Sequence, residues 1–457
     1  MQQKIVLKGL AIVVVAVLVA CGSGAEHQAA DPILREELAP VAVACPVQVP
    51  RDARCLGGKD FNGAYYLIAI PANWQGDLVM HAHGGPALGA PTMARVEDDL
   101  GRWSIMVRAG YAWAGSSYRQ GGVAVRAAAE DTERLRRIFH AFVEKPTHTF
   151  LHGQSWGASV AAKTAEMFAS NSAQNQPYDA LLLTNGVLAG GTHSYDVRLD
   201  LRVVYQYLCG NHPRPTEQQY PLNIGYPAGA TINNANIAAR TQECLGLEMP
   251  RAQRTAQQQA NIDTIVRVVR IPEDAIQSHL NWGTRHFQEI VSKRTAGVSP
   301  FGNTGVRYSG SSDDAALNAG VERFVADPKA YAMLAHDTDL TGAIAVPILS
   351  VKWINDPTAF VELDHFFKKT MDAAGAGDRL VQTFTRTGTH SYLNDASYVG
   401  LMQALSDWVH GGQKPTPQGV AERCEQASSQ YGAQCTFEPL YQPKPLATRV
   451  PERQRPQ

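Results

Sequence analysis

Gly153-Gln154-Ser155-Trp156-Gly157 stands between an apolar run of strand length that ends at His152 and a helical stretch that begins near Ala158. A serine in a strand-to-helix turn is forced into a strained backbone that lifts its hydroxyl above the sheet, and flanking glycines let strand and helix come close. The start of the helix adds backbone N–H groups and a positive dipole end, which suit an anion beside the serine. The chemistry open to such a residue is nucleophilic attack on a carbonyl. A hydroxyl is a poor nucleophile until a base takes its proton, and the base must be held in the right tautomer by an acid. The pentapeptide spacing alone is common, so its weight comes from its place between strand and helix. Two other patterns carry less. His81-Ala82-His83 offers two imidazoles in one strand, but no carboxylate-rich cluster follows, and a strand entering a loop explains it. Gly375-Ala376-Gly377 lacks the third glycine of a dinucleotide turn and reads as a helix terminus. No metal or organic cofactor is called for.

The elements around Ser155 alternate between strand and helix. Tyr65 to Ile70, Leu78 to Ala82 and Tyr111 to Ser116 are short apolar strands, and Thr147 to His152 and Ala180 to Leu188 continue the series. Between Val125 and Val143 the apolar Ala128, Leu135, Ile138 and Phe142 recur at helical spacing, opposite Glu130, Glu133, Arg134 and Arg137. Strands alternating with amphipathic helices predict an α/β protein with a mostly parallel sheet covered on both faces. The rhythm stops between about Asp200 and Leu340, which is too long for one connection and predicts a separate layer or lid. It resumes with a strand from Val346 to Trp353, a helix near Phe360 to Ala374, a strand from Arg379 to Thr385 and a helix from Ser397 to Val409.

These features together resemble the α/β-hydrolase superfamily, over a core from about Phe61 to Gly411 apart from the insertion. A second matching motif, His83-Gly84-Gly85-Pro86, follows the strand at Leu78. In that superfamily a loop here gives one oxyanion N–H and the residue after the nucleophile gives the other. The resemblance therefore implies Gly85 and Trp156, since Pro86 has no N–H to donate. Superfamily order is nucleophile, acid, base, with the last two after the late strands. Asp356 in Asn355-Asp356-Pro357 and His390 in Gly388-Thr389-His390-Ser391 match that order and setting, whereas Asp364 falls within a helix and Asp378 precedes a strand. The implied enzyme is a serine hydrolase that cleaves a carboxylic ester of a small or oligomeric substrate through an acyl-serine. His83-Gly84-Gly85-Pro86 is also similar to the oxyanion loop of prolyl aminopeptidases, although Ala87 stands where their motif continues with glycine. Those enzymes read a free amino terminus with lid carboxylates, for which Glu217, Glu243, Glu248 and Glu273 are available. A catalytically inactive binding module is the remaining alternative.

Lys4 and Lys8 precede an apolar run from Ala11 to Ala20, too short to span a bilayer but suited to a signal peptide. Leu18-Val19-Ala20-Cys21 resembles the lipobox of bacterial lipoproteins, which implies export and a membrane anchor through a lipid on Cys21, with Gly22 favouring the outer membrane. The other six of seven cysteines fall as near neighbours, Cys45 with Cys55, Cys209 with Cys244 and Cys424 with Cys435. Short loops close at least entropic cost, and export supplies the oxidising compartment, so these pairs are expected as disulfides. A net charge of −1, from 41 Lys and Arg against 42 Asp and Glu, argues against nucleic-acid binding. The expected layout is a leader at 1–20, a tether and disulfide segment at 21–60, core at 61–200, a lid insertion at 201–340, core again at 341–412, and a disulfide segment and tail at 413–457, loose at its end. Little regular structure is evident from Pro213 to Asn236, and the Cys209–Cys244 bond is expected to order it as the part of the lid that governs substrate access.

Overall fold

The computed structural model describes residues 36–170, 175–432 and 434–456, so the leader and Cys21 lie outside the described residues. Nine strands among them form one sheet: β1 (Val41–Ala42), β2 (Arg54–Lys59), β3 (Tyr65–Ile70), β4 (Asp77–Ala82), β5 (Ala112–Ser116), β6 (His148–Gln154), β7 (Ala180–Thr184), β8 (Ile348–Trp353) and β9 (Leu380–Thr385). Their spatial order is β1-β2-β3-β5-β4-β6-β7-β8-β9. The pairings from β1 to β5 are antiparallel, and those from β5 through β4 to β9 are parallel. This order, with β4 and β5 exchanged and one antiparallel edge, is the α/β-hydrolase fold.

The strands are buried on both faces because their side chains alternate between two cores. Leu78, Met80, Leu181, Leu183 and Ile348 meet the helices Val125–Phe142, Trp156–Met167 and Glu362–Ala373 through Leu135, Phe139, Val160 and Phe367. Val79, Leu182, Leu349 and Val351 point the other way, toward Leu100, Tyr398, Leu401 and Cys424 of the helices Met93–Arg102, Asp395–Gly411 and Pro417–Tyr431. A third core lies in the segment between β7 and β8, where Val203, Val204, Ile265, Val268, Leu280 and Phe287 pack together.

Three features differ from the expectations. The sheet begins before Phe61, with β2 paired along its whole length to β3. The described tail is not loose: the Arg453 side chain is buried between Asp196 and Asp200, its Nη2 2.6 Å from Asp200 Oδ2, and Arg455 lies 2.6 Å from Asp196. The stretch from Pro213 to Asn236 has more than a disulfide to hold it. Leu222 is fully buried, Arg214 pairs with Glu243, and Arg240 pairs with Glu217. All three disulfides are formed, Cys45–Cys55, Cys209–Cys244 and Cys424–Cys435. Bonds of this kind persist in oxidising compartments and mark an exported chain. No described helix is long and apolar enough to cross a membrane.

Candidate active site

Ser155 sits in the turn between β6 and the helix Trp156–Met167 with φ 56° and ψ −124°, a conformation that an L-residue holds only when its surroundings enforce it. Its flanks show how. A Cβ on Gly153 would lie 2.4 Å from the Gly157 carbonyl oxygen, and one on Gly157 would lie 2.0 Å from that of Ala82. Strand and helix therefore approach as only glycine permits, and the Ser155 N–H bonds Thr184 O on β7 at 2.9 Å. The hydroxyl is left at the carboxyl end of the sheet, where crossovers on either side leave a crevice.

Two loops after later strands reach this hydroxyl. His390, after β9, has its Nε2 2.7 Å from Ser155 Oγ. Its Nδ1 lies 2.7 Å from Asp356 Oδ2, after β8. The second oxygen of Asp356 accepts from the N–H groups of Thr358 at 2.8 Å and Ala359 at 3.0 Å, so the buried carboxylate is fully occupied and fixed. A carboxylate on Nδ1 sets that nitrogen as the donor and leaves Nε2 as the acceptor for a hydroxyl proton. Asp364 is instead paired with Lys352 at 3.0 Å, and Asp378 is exposed.

The His390 loop is clamped by two residues that sequence reading passed over. Gln154 Nε2 donates to the His390 carbonyl at 2.7 Å, and Asn185 Nδ2 donates to the same oxygen at 3.0 Å. Asn185 is itself fixed by accepting from the Trp353 N–H at 2.8 Å. Only the position of Gln154 inside the pentapeptide could have drawn attention to it.

Gly85 and Trp156 both line the cavity at Ser155. The carbonyl of Gly84 is held from behind by His83 Nδ1 at 2.6 Å and Arg95 Nη2 at 2.8 Å. Because the peptide is planar and trans, fixing that carbonyl turns the Gly85 N–H the opposite way. Burial, helped by the Arg95 charge, lowers His83 to about 3, so its ring is neutral at physiological pH. The Trp156 N–H opens a helix and has no intrahelical acceptor. His81 and His83 do not converge on one point: His81 Nδ1 lies 2.9 Å from His152 Nδ1 within the sheet, and His83 stacks on Tyr118.

The cavity has a volume of about 330 Å³. Its far wall comes from the β7–β8 segment: Tyr195 and Arg198, at and just past the start of the helix Asp196–Cys209, and Trp282 and His286 on the helical run 276–294. That run widens to i→i+5 turns at Trp282–His286, and these two residues, four apart and so on one face, line the cavity. It also touches both loops that flank Ser155. His286 Nε2 donates to Pro86 O and His279 Nε2 to Pro357 O, each at 2.9 Å. Burial lowers His286 to about 4 and His279 to about 3. No residue of 213–236 lines the cavity, contrary to the expectation that this stretch governs access.

No family model and no curated protein matches the sequence. Solved structures similar to it include the rice cell wall degrading esterase LipA from Xanthomonas oryzae, 13% identical with a TM-score of 0.39, covering 86% of this chain and 98% of that one. Tannin acyl hydrolase from Aspergillus niger is 11% identical with a TM-score of 0.39 and covers 83% of both chains. Feruloyl esterase B from Aspergillus oryzae is 10% identical with a TM-score of 0.39, covering 83% of this chain and 88% of that one. The fold assignment rests on the strand order, not on these likenesses.

Proposed function

We propose that the chain hydrolyses a carboxylic ester through an acyl-serine intermediate. The observation that carries this is the continuous pair of 2.7 Å contacts from Ser155 Oγ to His390 and from His390 to Asp356, opening on a cavity. Ser155 attacks the ester carbonyl while His390 Nε2 takes its proton. The N–H groups of Gly85 and Trp156 receive the negative oxygen of the tetrahedral intermediate, and His390 returns the proton to the departing alcohol. Water then attacks the acyl-serine with His390 as base again, releasing the acid and restoring Ser155. Asp356 orients the imidazole and stabilises its charged form.

Replacing Ser155 by Ala tests the reading. Hydrolysis of 4-nitrophenyl butyrate and labelling by a fluorophosphonate are expected to vanish while the melting temperature stays within a few degrees. Labelling that persists on another serine would overturn the assignment. An aminopeptidase reading has less support. Glu217, Glu243 and Glu273 are occupied by Arg240, Arg214 and Arg254, and no carboxylate among the described residues lines the cavity to receive an amino terminus. The complete hydrogen-bonded chain at Ser155 likewise speaks against an inactive binding module.

The exported chain is further proposed to be held to the cell envelope, at the outer membrane, by a lipid on Cys21. Incorporation of labelled palmitate, and its loss in Cys21→Ser, tests this. Release of the unmodified wild-type chain into the soluble periplasmic fraction would contradict it.

A further inference from the structure

The helix Asp196–Cys209 carries four charged residues in its first two turns, Asp196, Arg198, Asp200 and Arg202, and all are buried. Residues four apart share a helix face, so the acids form one pair and the arginines another. The acids are neutralised from far along the chain by Arg453 and Arg455. The arginines receive no such partner. Arg202 donates to the Thr284 hydroxyl. Arg198 pairs with no carboxylate among the described residues, and its Nε has no hydrogen-bond acceptor.

Arg198 is only 8% exposed, and it lines the cavity that holds Ser155 and His390. Its guanidinium is flanked by two aromatic rings, 4.4 Å from the Tyr195 centroid and 4.8 Å from that of Trp282. Tyr195 also offers its hydroxyl as an acceptor to the guanidinium, but among the described residues nothing accepts from Nε and no carboxylate reaches the group. Burial draws the group down to about 10, which still leaves it charged at neutral pH. A buried guanidinium with no carboxylate partner and an open Nε is costly to keep unless something completes it. The other charged wall residues do not, since they are Arg95 and Arg102. Arg95 is already committed to Asp99 and to the Gly84 carbonyl.

We propose that Arg198 receives a carboxylate of the substrate, so that the esters processed at Ser155 are anionic molecules carrying a free carboxylate in addition to the scissile bond. The assignment of the reacting centre rests on the ester-hydrolase reading above, while the anion site rests on Arg198 itself. A carboxylate fits better than a phosphate. A single planar fork held between two rings matches two oxygens in a plane.

The test compares 4-nitrophenyl hydrogen adipate with the neutral 4-nitrophenyl hexanoate. The wild-type enzyme is expected to favour the adipate in kcat/KM. Arg198→Met should lower the adipate-to-hexanoate ratio by about tenfold to a hundredfold, the range of a hydrogen bond to a charged group. Arg198→Lys should restore part of it, because the charge returns without the fork. A ratio unchanged in Arg198→Met, or a wild-type preference for the hexanoate, overturns the proposal. Calorimetric binding of monomethyl adipate to Ser155→Ala, with and without Arg198→Met, separates the two readings. Binding that requires Arg198, together with a wild-type protein that cleaves neither ester, would refute the hydrolase reading and keep the anion site. Hydrolysis of the hexanoate, with adipate binding indifferent to Arg198, would do the reverse. Retained fluorophosphonate labelling of Arg198→Met shows that the variant is folded.

Discussion

The two walls of the cavity are built on different principles. On the sheet side, Ser155, Asp356 and His390 stand at strand ends, and the groups that fix the triad are bonded: both Asp356 oxygens, the His390 carbonyl, which receives Gln154 and Asn185, and the Gly84 carbonyl, which receives His83 and Arg95, while Arg95 Nε and Trp156 Nε1 are left without a hydrogen bond. On the β7–β8 side, the groups that face the cavity come from helix surfaces, and buried polar atoms are left without partners, among them Arg198 Nε and His286 Nδ1. A triad whose holding groups are all bonded keeps one geometry and suits bond making and breaking. A wall with an open donor on Arg198 and an open acceptor on His286 suits a ligand that completes them. On the proposed reading, reaction type and substrate choice belong to separate parts of this chain, joined where His286 and His279 bond the loops of Pro86 and Pro357.

The largest effect should come from breaking the sheet side. Asp356→Asn keeps the size of the side chain but favours the wrong imidazole tautomer, so kcat on any ester should fall by about 10⁴-fold with little change in KM. A loss below tenfold, measured on 4-nitrophenyl butyrate, would mean that another acid orients His390. The next effect should come from the far wall. Arg453→Met leaves Asp196 and Asp200 buried with one cation fewer, and breaking a buried pair costs about 3–5 kcal/mol. Urea denaturation should show that loss, while folded protein at low temperature still labels at Ser155. Labelling lost together with stability would mean that the two walls do not act separately. The smallest effect on function should come from Cys209→Ser with Cys244→Ser. Opening a loop with a sequence separation of 35 removes at most about 3–4 kcal/mol in the chain-entropy account. Since residues 213–236 do not line the cavity, KM for large and small esters should move less than twofold even as the melting temperature drops. A large change in KM would reinstate that stretch as the gate.

How far the sequence reaches can be seen residue by residue. Ser155 was legible because its turn is made by neighbours: an apolar strand, two glycines and a helix follow one another within a few positions. Asp356 and His390 were legible by order, since a parallel sheet puts successive strand ends on one edge whatever the separation along the chain. Strand β2 was not, because Arg54–Lys59 reads RCLGGK, with two glycines where strands usually carry branched or aromatic residues. The structure accounts for Gly58, where a Cβ would lie 2.3 Å from the Tyr66 hydroxyl.

What the sequence by itself determined, then, is the sheet edge that brings Ser155, Asp356 and His390 together: strand and helix periodicity, the glycine-flanked serine, the two late loops and the pairing of near-neighbour cysteines are all local or follow from strand order. Only the tertiary structure decided the opposite wall. Arg198 is one of many arginines in the sequence, and nothing within its own turn shows that it is buried or that it faces Ser155. That Arg453 should fold back to neutralise Asp200 is a contact between residues 253 positions apart. Pairings of charged side chains over such distances have no periodicity to reveal them. They follow from which helix faces are brought together when apolar surface is buried, and that is a property of the whole packed chain.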